Sequence, residues 1–218
     1  MDDKVIEMSK TTRSIDEVDA VRERILDCAF NILAKSGYEY LSMSKIGSRM
    51  KMTAANLYNY FGNKDELLIA IHKKAHVMLY DKLRTAIKKA DSPLRRYKKL
   101  TYAFVDFGTE NIHLYDIMFN RPIRQHRDYI GTPQEQLSAE EYHSSLRVLT
   151  LTVKTIAECR KANPNLATID PKLLAVQCFS ALHGVISLYN SGVLSEITDD
   201  ADRVLKEFTE NVFRFVAG

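Results

Sequence analysis

The chain has 218 residues, of which 45% are apolar and 27% charged, with a net charge of +3, 8 Gly and only 5 Pro. That mix excludes a disordered chain and describes a globular protein with a real core, large enough for one sizeable domain or two modest ones. The scarcity of breakers argues against a turn-rich β fold and for helices.

In chain order, residues 1–18 show no periodicity and read as a mobile arm. Val21, Ile25, Ala29, Ile32 and Leu33 recur at helical spacing and predict a helix over 19–36, stopped by Gly37. Ser42 reads as the N-cap of a short helix over 43–50. After a tight Lys51–Met52 turn, Thr53 caps another over 54–61. Gly62–Asn63 breaks that helix, and a long one runs over 64–90. Pro93 suits the first turn of a helix over 93–110 that puts Tyr97, Leu100, Phe104 and Phe107 on one face. A short helix follows over 113–119, then a polar loop over 121–136. A long helix over 138–163 carries Leu146, Leu149, Val153 and Ile156 on one stripe. Asp170–Pro171 opens a helix that is apolar on nearly every face from Leu173 to Tyr189. The last helix, over 198–216, lines up Leu205, Phe208, Val212 and Phe215. No stretch alternates with the period of a strand, so the fold class is all-α.

The stretch from Leu41 to Lys64 carries the chemistry. Two short capped helices with a tight connection make a helix-turn-helix, its small core formed by Ile46, Met50, Met52, Leu57 and Phe61. The second helix leaves Thr53, Ala54, Ala55, Asn56, Tyr58, Asn59 and Tyr60 as its polar or small positions. Small residues at its start admit the helix end to a major groove. Asn bonds a base edge, and Thr and Tyr hydroxyls bond phosphates. The stretch holds Lys45, Arg49, Lys51 and Lys64 and no acid, which suits a polyanion. The competing reading is a helical hairpin with a polar face.

Residues 20–68 resemble the DNA-binding domain of the TetR family of regulators. The resemblance rests on Gly37, Ser42, Ile46–Gly47 and above all the run Leu57-Tyr58-Asn59-Tyr60-Phe61-Gly62-Asn63-Lys64-Asp65-Glu66-Leu67. Gly47 stands where that family usually has Ala, and Ala55 where it often has Gly. The resemblance implies that Thr53, Asn56, Tyr58, Tyr60 and Lys64 face DNA, with Ser42 and Ser44 near the backbone. Lys51, Ala55 and Asn59 complete the candidate set. Further on, Tyr102-Ala103-Phe104, Leu114–Phe119 and Ala181-Leu182-His183-Gly184 resemble a TetR C-terminal class named for a Trp-His-Gly signature, although the chain has no Trp. In the family this region binds small effectors and its last two helices dimerise. The implied organisation is an arm at 1–18, a three-helix DNA-binding domain at 19–68, and a helical effector-binding and dimerisation bundle at 69–218.

Tyr102, Phe104, Phe107, Met118, Phe119 and Tyr142 are candidate walls of an apolar effector pocket, with His143 and His183 as polar handles. Core packing explains most of them equally well. His183 lies inside an apolar helix and needs a polar partner. Ser180, Gly184, Ser187 and Ser191 share one stripe, a dimer seam or internal packing. Leu188, Leu205, Phe208 and Val212 are the apolar candidates for that seam. Residues 73–99 hold ten Lys or Arg against Asp81 and Asp91, read as a solvated face rather than a phosphate track. His72 and His76 stand four apart without a third ligand in sequence, so no metal or other cofactor is expected.

Cys28, Cys159 and Cys178 are too widely spaced for a disulfide framework or a zinc site and read as inert thiols in a reducing compartment. No apolar run approaches the roughly 20 residues of a membrane span, and the polar start lacks a leader's apolar segment. A cytoplasmic protein with no membrane partner is expected.

The leading function is a homodimeric repressor released from a near-palindromic double-stranded operator by a small apolar effector. A DNA-binding activator or partner-binding regulator without a ligand is the alternative, and a solid C-terminal core would favour it. A helical enzyme is the third reading. It finds no nucleophile elbow, phosphate-cradling loop, metal triad or paired carboxylates in support.

Overall fold

The computed structural model describes residues 15–122, 124–161, 163 and 166–217. Among these the chain is helical and has no strand. The first helix, α1 (Ile15–Ser36), opens inside the stretch read as an arm, while residues 1–14 lie outside the described ones. Then come α2 (Met43–Met50), α3 (Ala54–Leu57) and α4 (Lys64–Ile87). The second half holds α5 (Pro93–Glu110), α6 (Ile112–Tyr115), α7 (Glu135–Arg160), α8 (Pro171–Asn190), α9 (Val193–Ile197) and α10 (Ala201–Ala217).

Caps explain most of these starts. The Ser42, Thr53, Asn63 and Ser92 side chains each accept a backbone N–H three residues on, and Asp170 accepts two, from Lys172 and Leu173. Three expectations need correction. The helix read over 54–61 ends at Leu57, because the amides of Tyr60 and Phe61 both turn back onto the Leu57 carbonyl. The helix read over 113–119 is one turn of α-helix that widens into a π turn at Asp116–Asn120, closed by the Arg121 amide on the Asp116 carbonyl. The last helix, read over 198–216, starts at Ala201, and a short helix that the sequence did not suggest, α9, precedes it.

Two cores form along the shared helix α4. Leu67, Ala70 and Ile71 join the first, with Ile25, Ile32, Leu33, Ile46, Leu57 and Phe61. Leu79 and Leu83 join the second, with Tyr97, Leu100, Phe104, Phe107, Ile156, Leu174, Leu182 and Ile186. In the second region α4 packs on α5 and α7, α7 on α8, and α10 across α5 and α8.

One expectation about length and polarity also fails. Helix α8 is long and apolar enough to cross a membrane by composition alone, and a third of its apolar window is buried within one chain. Its Leu174, Ala175, Cys178, Leu182, Val185 and Ile186 face the core, leaving Leu173, Val176, Phe179 and Leu188 outside.

Candidate DNA-binding face and effector chamber

At the amino-terminal end, α2 and α3 meet through a close turn. A Cβ at Gly47 would stand 2.5 Å from the Met52 carbonyl oxygen, so an Ala does not fit this turn as it stands. Lys51 adopts the left-handed conformation, φ 55°, where the chain reverses. Ser42, Ser44, Lys51, Thr53, Ala55, Tyr58 and Asn59 are exposed, and Asn56 and Lys64 half-exposed. Ser42, Ser44 and Lys51 belong to α2 and its ends, Thr53, Ala55 and Asn56 to α3 and its cap, Tyr58 and Asn59 to the turn after it, and Lys64 to the start of α4. Asn59 Nδ2 donates to Asn56 Oδ1 at 3.4 Å, which aligns two amides on this face.

Tyr60 departs from the reading. It is 7% exposed and belongs to the first core, because α3 ends before it and the following turn carries its ring inward. Its carbonyl accepts a bond from Arg22, whose guanidinium also pairs with Glu66 at 2.6 Å and covers the Phe61 ring at 4.2 Å. Arg22 was not legible as a functional position. It sits on the polar face of α1, and its partners lie about forty residues away. Glu66 Oε2 also accepts the Gly62 N–H, which completes the start of α4.

Between α4, α5, α7 and α8 lies a chamber of about 460 Å³. Its walls are His76 and Leu79 of α4, Tyr97, Leu100, Thr101 and Phe104 of α5, Ser145, Val148, Leu149 and Thr152 of α7, six residues of α8 from Ala175 to Leu182, and Phe119. This size, and walls apolar but for a few hydroxyls and one imidazole, are those of a small-molecule site. Of the expected wall residues, Phe104 and Phe119 line this chamber.

The other expected wall residues do not line it. Tyr102 points off the stripe of α5 and donates to Glu210 Oε2 at 2.7 Å, with its pKa pushed up to about 12 by burial and by that carboxylate. Phe107 is fully buried in the core, and Met118 lies between the two cores. Tyr142 is exposed and stacks on His126, and His143 turns back onto the Ala139 carbonyl. His183 forms a second layer. Its Nδ1 lies 2.9 Å from the Tyr115 hydroxyl, and its ring lies parallel to that of Phe179 at 5.7 Å. Burial lowers the His183 pKa, which favours the neutral imidazole. The walls on α7 and α8 went unread because Ser145, Leu149 and Thr152 look like an ordinary amphipathic stripe.

Of the seam candidates, Gly184 is exposed with open space where a Cβ would stand, and Leu188 and Phe208 are 40% and 38% exposed. Ser180 is exposed and also lines the chamber. Leu205 is half-buried and Val212 is buried at 8%, so Val212 belongs to the core of its own chain. The basic run is mostly paired: Lys73 with Glu140, Lys74 with Asp27, Lys82 with Glu110, Arg95 with Asp91, Arg96 with Glu158 and Lys98 with Glu210. His76 Nδ1 lies 3.0 Å from the His72 carbonyl and 3.3 Å from Glu141 Oε1. Among the described residues no group of three or more His, Cys, Asp or Glu is arranged to hold a metal ion. Cys159 and Cys178 are buried and Cys28 partly so, and burial raises all three thiol pKa values away from reactivity.

A helix-turn-helix head on a helical receptor with an apolar chamber defines a class of regulator. Comparison with known proteins is specific. Residues 25–71 match the family described as bacterial regulatory proteins, tetR family, and residues 98–212 match the tetracyclin repressor-like C-terminal domain. The chain belongs to the TetR family, a family of DNA-binding transcriptional regulators with a ligand-binding C-terminal domain and not of enzymes. It is 29% identical over 66 residues to the fatty acid metabolism regulator protein of Bacillus subtilis, covering 30% of this chain and 34% of that one. It is 26% identical over 116 residues to the HTH-type transcriptional activator FasR of Mycolicibacterium smegmatis, covering 53% and 50%. The match thus spans a third and a half of the length of these relatives. Among solved structures, FadR of Bacillus subtilis in complex with stearoyl-CoA shares the fold, with a TM-score of 0.64 at 16% identity over 88% of this chain and 97% of that one.

Proposed function

We propose that the protein is a cytoplasmic homodimeric repressor whose operator is near-palindromic and whose effector is a long-chain acyl compound seated in the chamber. The single observation behind the effector half is the segment from Ile112 to Asn120. Its Leu114 and Ile117 belong to the DNA-binding core, while its Tyr115 and Phe119 belong to the receptor core, and Phe119 is a wall of the chamber. An occupant that moves Phe119 therefore pushes on the packing under the recognition helix. Helix α4, shared by both cores, is the second route. The domain division at 68/69 falls within α4, consistent with a joint that transmits rather than a linker that decouples. The acyl class is suggested by the relatives named for fatty acid metabolism and by the stearoyl-CoA of the structural neighbour.

In this reading Thr53, Ala55, Asn56 and Asn59 face base edges, and Ser42, Ser44, Lys51, Tyr58 and Lys64 face phosphates. Full switching requires the effector to prefer the released form by about 5.5 kcal/mol. Linkage then demands that operator DNA weaken effector binding by the same factor. Titrating stearoyl-CoA with and without an operator selected from genomic fragments tests this. Equal affinities in the two titrations would sink the mechanism.

The dimer rests on the apolar surface left by one chain: Leu173 and Leu188 of α8 with Phe208 and Phe215 of α10 are all exposed. A second copy that covers this face two-fold sets two recognition helices on one side of the duplex. Leu188→Glu and Phe208→Lys are expected to yield monomers or insoluble protein by light scattering. A monodisperse native monomer at micromolar concentration would overturn the dimer. The activator reading is favoured by one observation, that the FasR relative is a transcriptional activator. A reporter carrying the selected operator separates the two, since deleting the regulator raises expression under a repressor and lowers it under an activator.

A further inference from the structure

Lys64 is the first residue of α4. A cation in the first turn of a helix faces the positive end of the macrodipole, so helix stability does not explain its place. The acids beside it are engaged elsewhere. Asp65 pairs with Arg124 at 3.1 Å, and Glu66 holds Arg22 and the Gly62 N–H. The Lys64 ammonium lies instead 4.6 Å from the centre of the Tyr38 ring.

Tyr38 stands in the short turn that joins α1 to α2, and that turn is clasped by the segment after α5. The His113 ring approaches within 3.2 Å of where a Gly37 Cβ would stand, and Gly37 has φ 86°. The Arg121 guanidinium lies 4.9 Å from the centre of the same Tyr38 ring. Arg121 is itself neutralised by Asp116 at 2.7 Å and Glu39 at 2.8 Å. Two residues on, the Tyr40 ring takes Lys45 of α2 in the same way, at 4.5 Å.

A ring face attracts a cation without cancelling its charge, whereas a carboxylate would satisfy the ammonium and compete with phosphate. Holding a lysine in one place before binding also removes part of the rotamer entropy it would otherwise lose on DNA. We infer that Tyr38 is a positioning residue for DNA binding: its ring holds the Lys64 ammonium ready for a phosphate at the amino-terminal end of α4. The inference rests on the DNA-facing reading of Lys64 above. Because Arg121 shares the ring, the placement of Lys64 is tied to the segment that also lines the chamber.

The test is a double-mutant cycle on a labelled random-sequence duplex, read by fluorescence anisotropy between about 50 and 200 mM salt. The proteins are wild type, Tyr38→Leu, Lys64→Ala, the double variant and Tyr38→Phe. Tyr38→Leu is expected to weaken binding about three- to ten-fold, and Tyr38→Phe to leave it within about two-fold. Lys64→Ala is expected to lower the salt slope by about one. In the Lys64→Ala background, Tyr38→Leu is expected to add nothing. Tyr38→Met, bulky and apolar without a ring face, gives the same readout where the Leu variant is unstable. If Lys64→Ala leaves affinity and slope unchanged, the docking of Lys64 fails and this inference with it. If Lys64→Ala weakens binding, two results overturn the positioning role alone. One is Tyr38→Leu binding like wild type; the other is Tyr38→Leu costing as much without Lys64 as with it.

Discussion

The two cores along α4 are built to different ends. The first closes on itself, with Ile25, Ile32, Leu33, Ile46, Leu57, Phe61 and Ile71 all at 0% exposure among α1, α2, α3 and the first turns of α4. The second surrounds a chamber of about 460 Å³ and divides its helices around it. A reading head must hold several side chains in one geometry against DNA, and close packing does that. A receptor must exchange one occupant for another, and a core that is already full cannot. The difference teaches where each half resists change: the head in its packing, the receptor in its walls.

The largest expected effect breaks the head. Phe61→Ala removes a fully buried ring beside the Arg22 guanidinium and is expected to cost about 3–5 kcal/mol of stability by urea unfolding. A cost below about 1 kcal/mol would show that the head is not the tightly packed element described.

The joint between the cores should respond to acid. His72 is 2% exposed, and burial holds its pKa at about 4 against an ordinary 6.5. The folded state therefore keeps the ring neutral, while the unfolded chain takes up a proton as pH falls below 6.5. Stability from this source is full above that value and drains as pH falls toward 4. The displacement from 6.5 to 4, at about 1.4 kcal/mol per pH unit, corresponds to about 3 kcal/mol. Unfolding curves at neutral pH and near pH 5 are expected to diverge less in His72→Leu than in wild type. Equal divergence would assign the acid sensitivity to other groups.

The smallest effect sharpens the comparison from the receptor side. Leu149→Phe adds volume into the chamber rather than into a packed wall. It is expected to change stability by less than about 1 kcal/mol in either direction. Under the proposed function stearoyl-CoA is expected to raise the melting temperature of the wild type, and the same substitution to abolish that rise. A loss of stability near that of Phe61→Ala would mean that the chamber closes in solution.

The sequence by itself determined the local structure of the head. Ser42, Thr53 and Asn63 are caps whose oxygens bond amides three residues away, and Gly37 supplies a positive φ at a helix end. Such signals are local because the groups they satisfy lie within one turn. The run from Leu57 to Leu67 also carried the family, since the matched residues are contiguous. Tertiary structure alone decided the rest. Tyr60 turns inward because Phe61 and Leu67 beside it must be buried and Arg22 from α1 waits for its carbonyl. The chamber draws on four helices from residue 76 to residue 182, and no period along one helix states which apolar stripe faces a neighbour and which faces an opening. Lys64 was legible as a charge, but its seat on Tyr38 was not, because a cation–ring contact has no spacing rule to betray it. A chain encodes its own turns within a few residues; where two helices leave a gap depends on the volumes of side chains that meet only after folding.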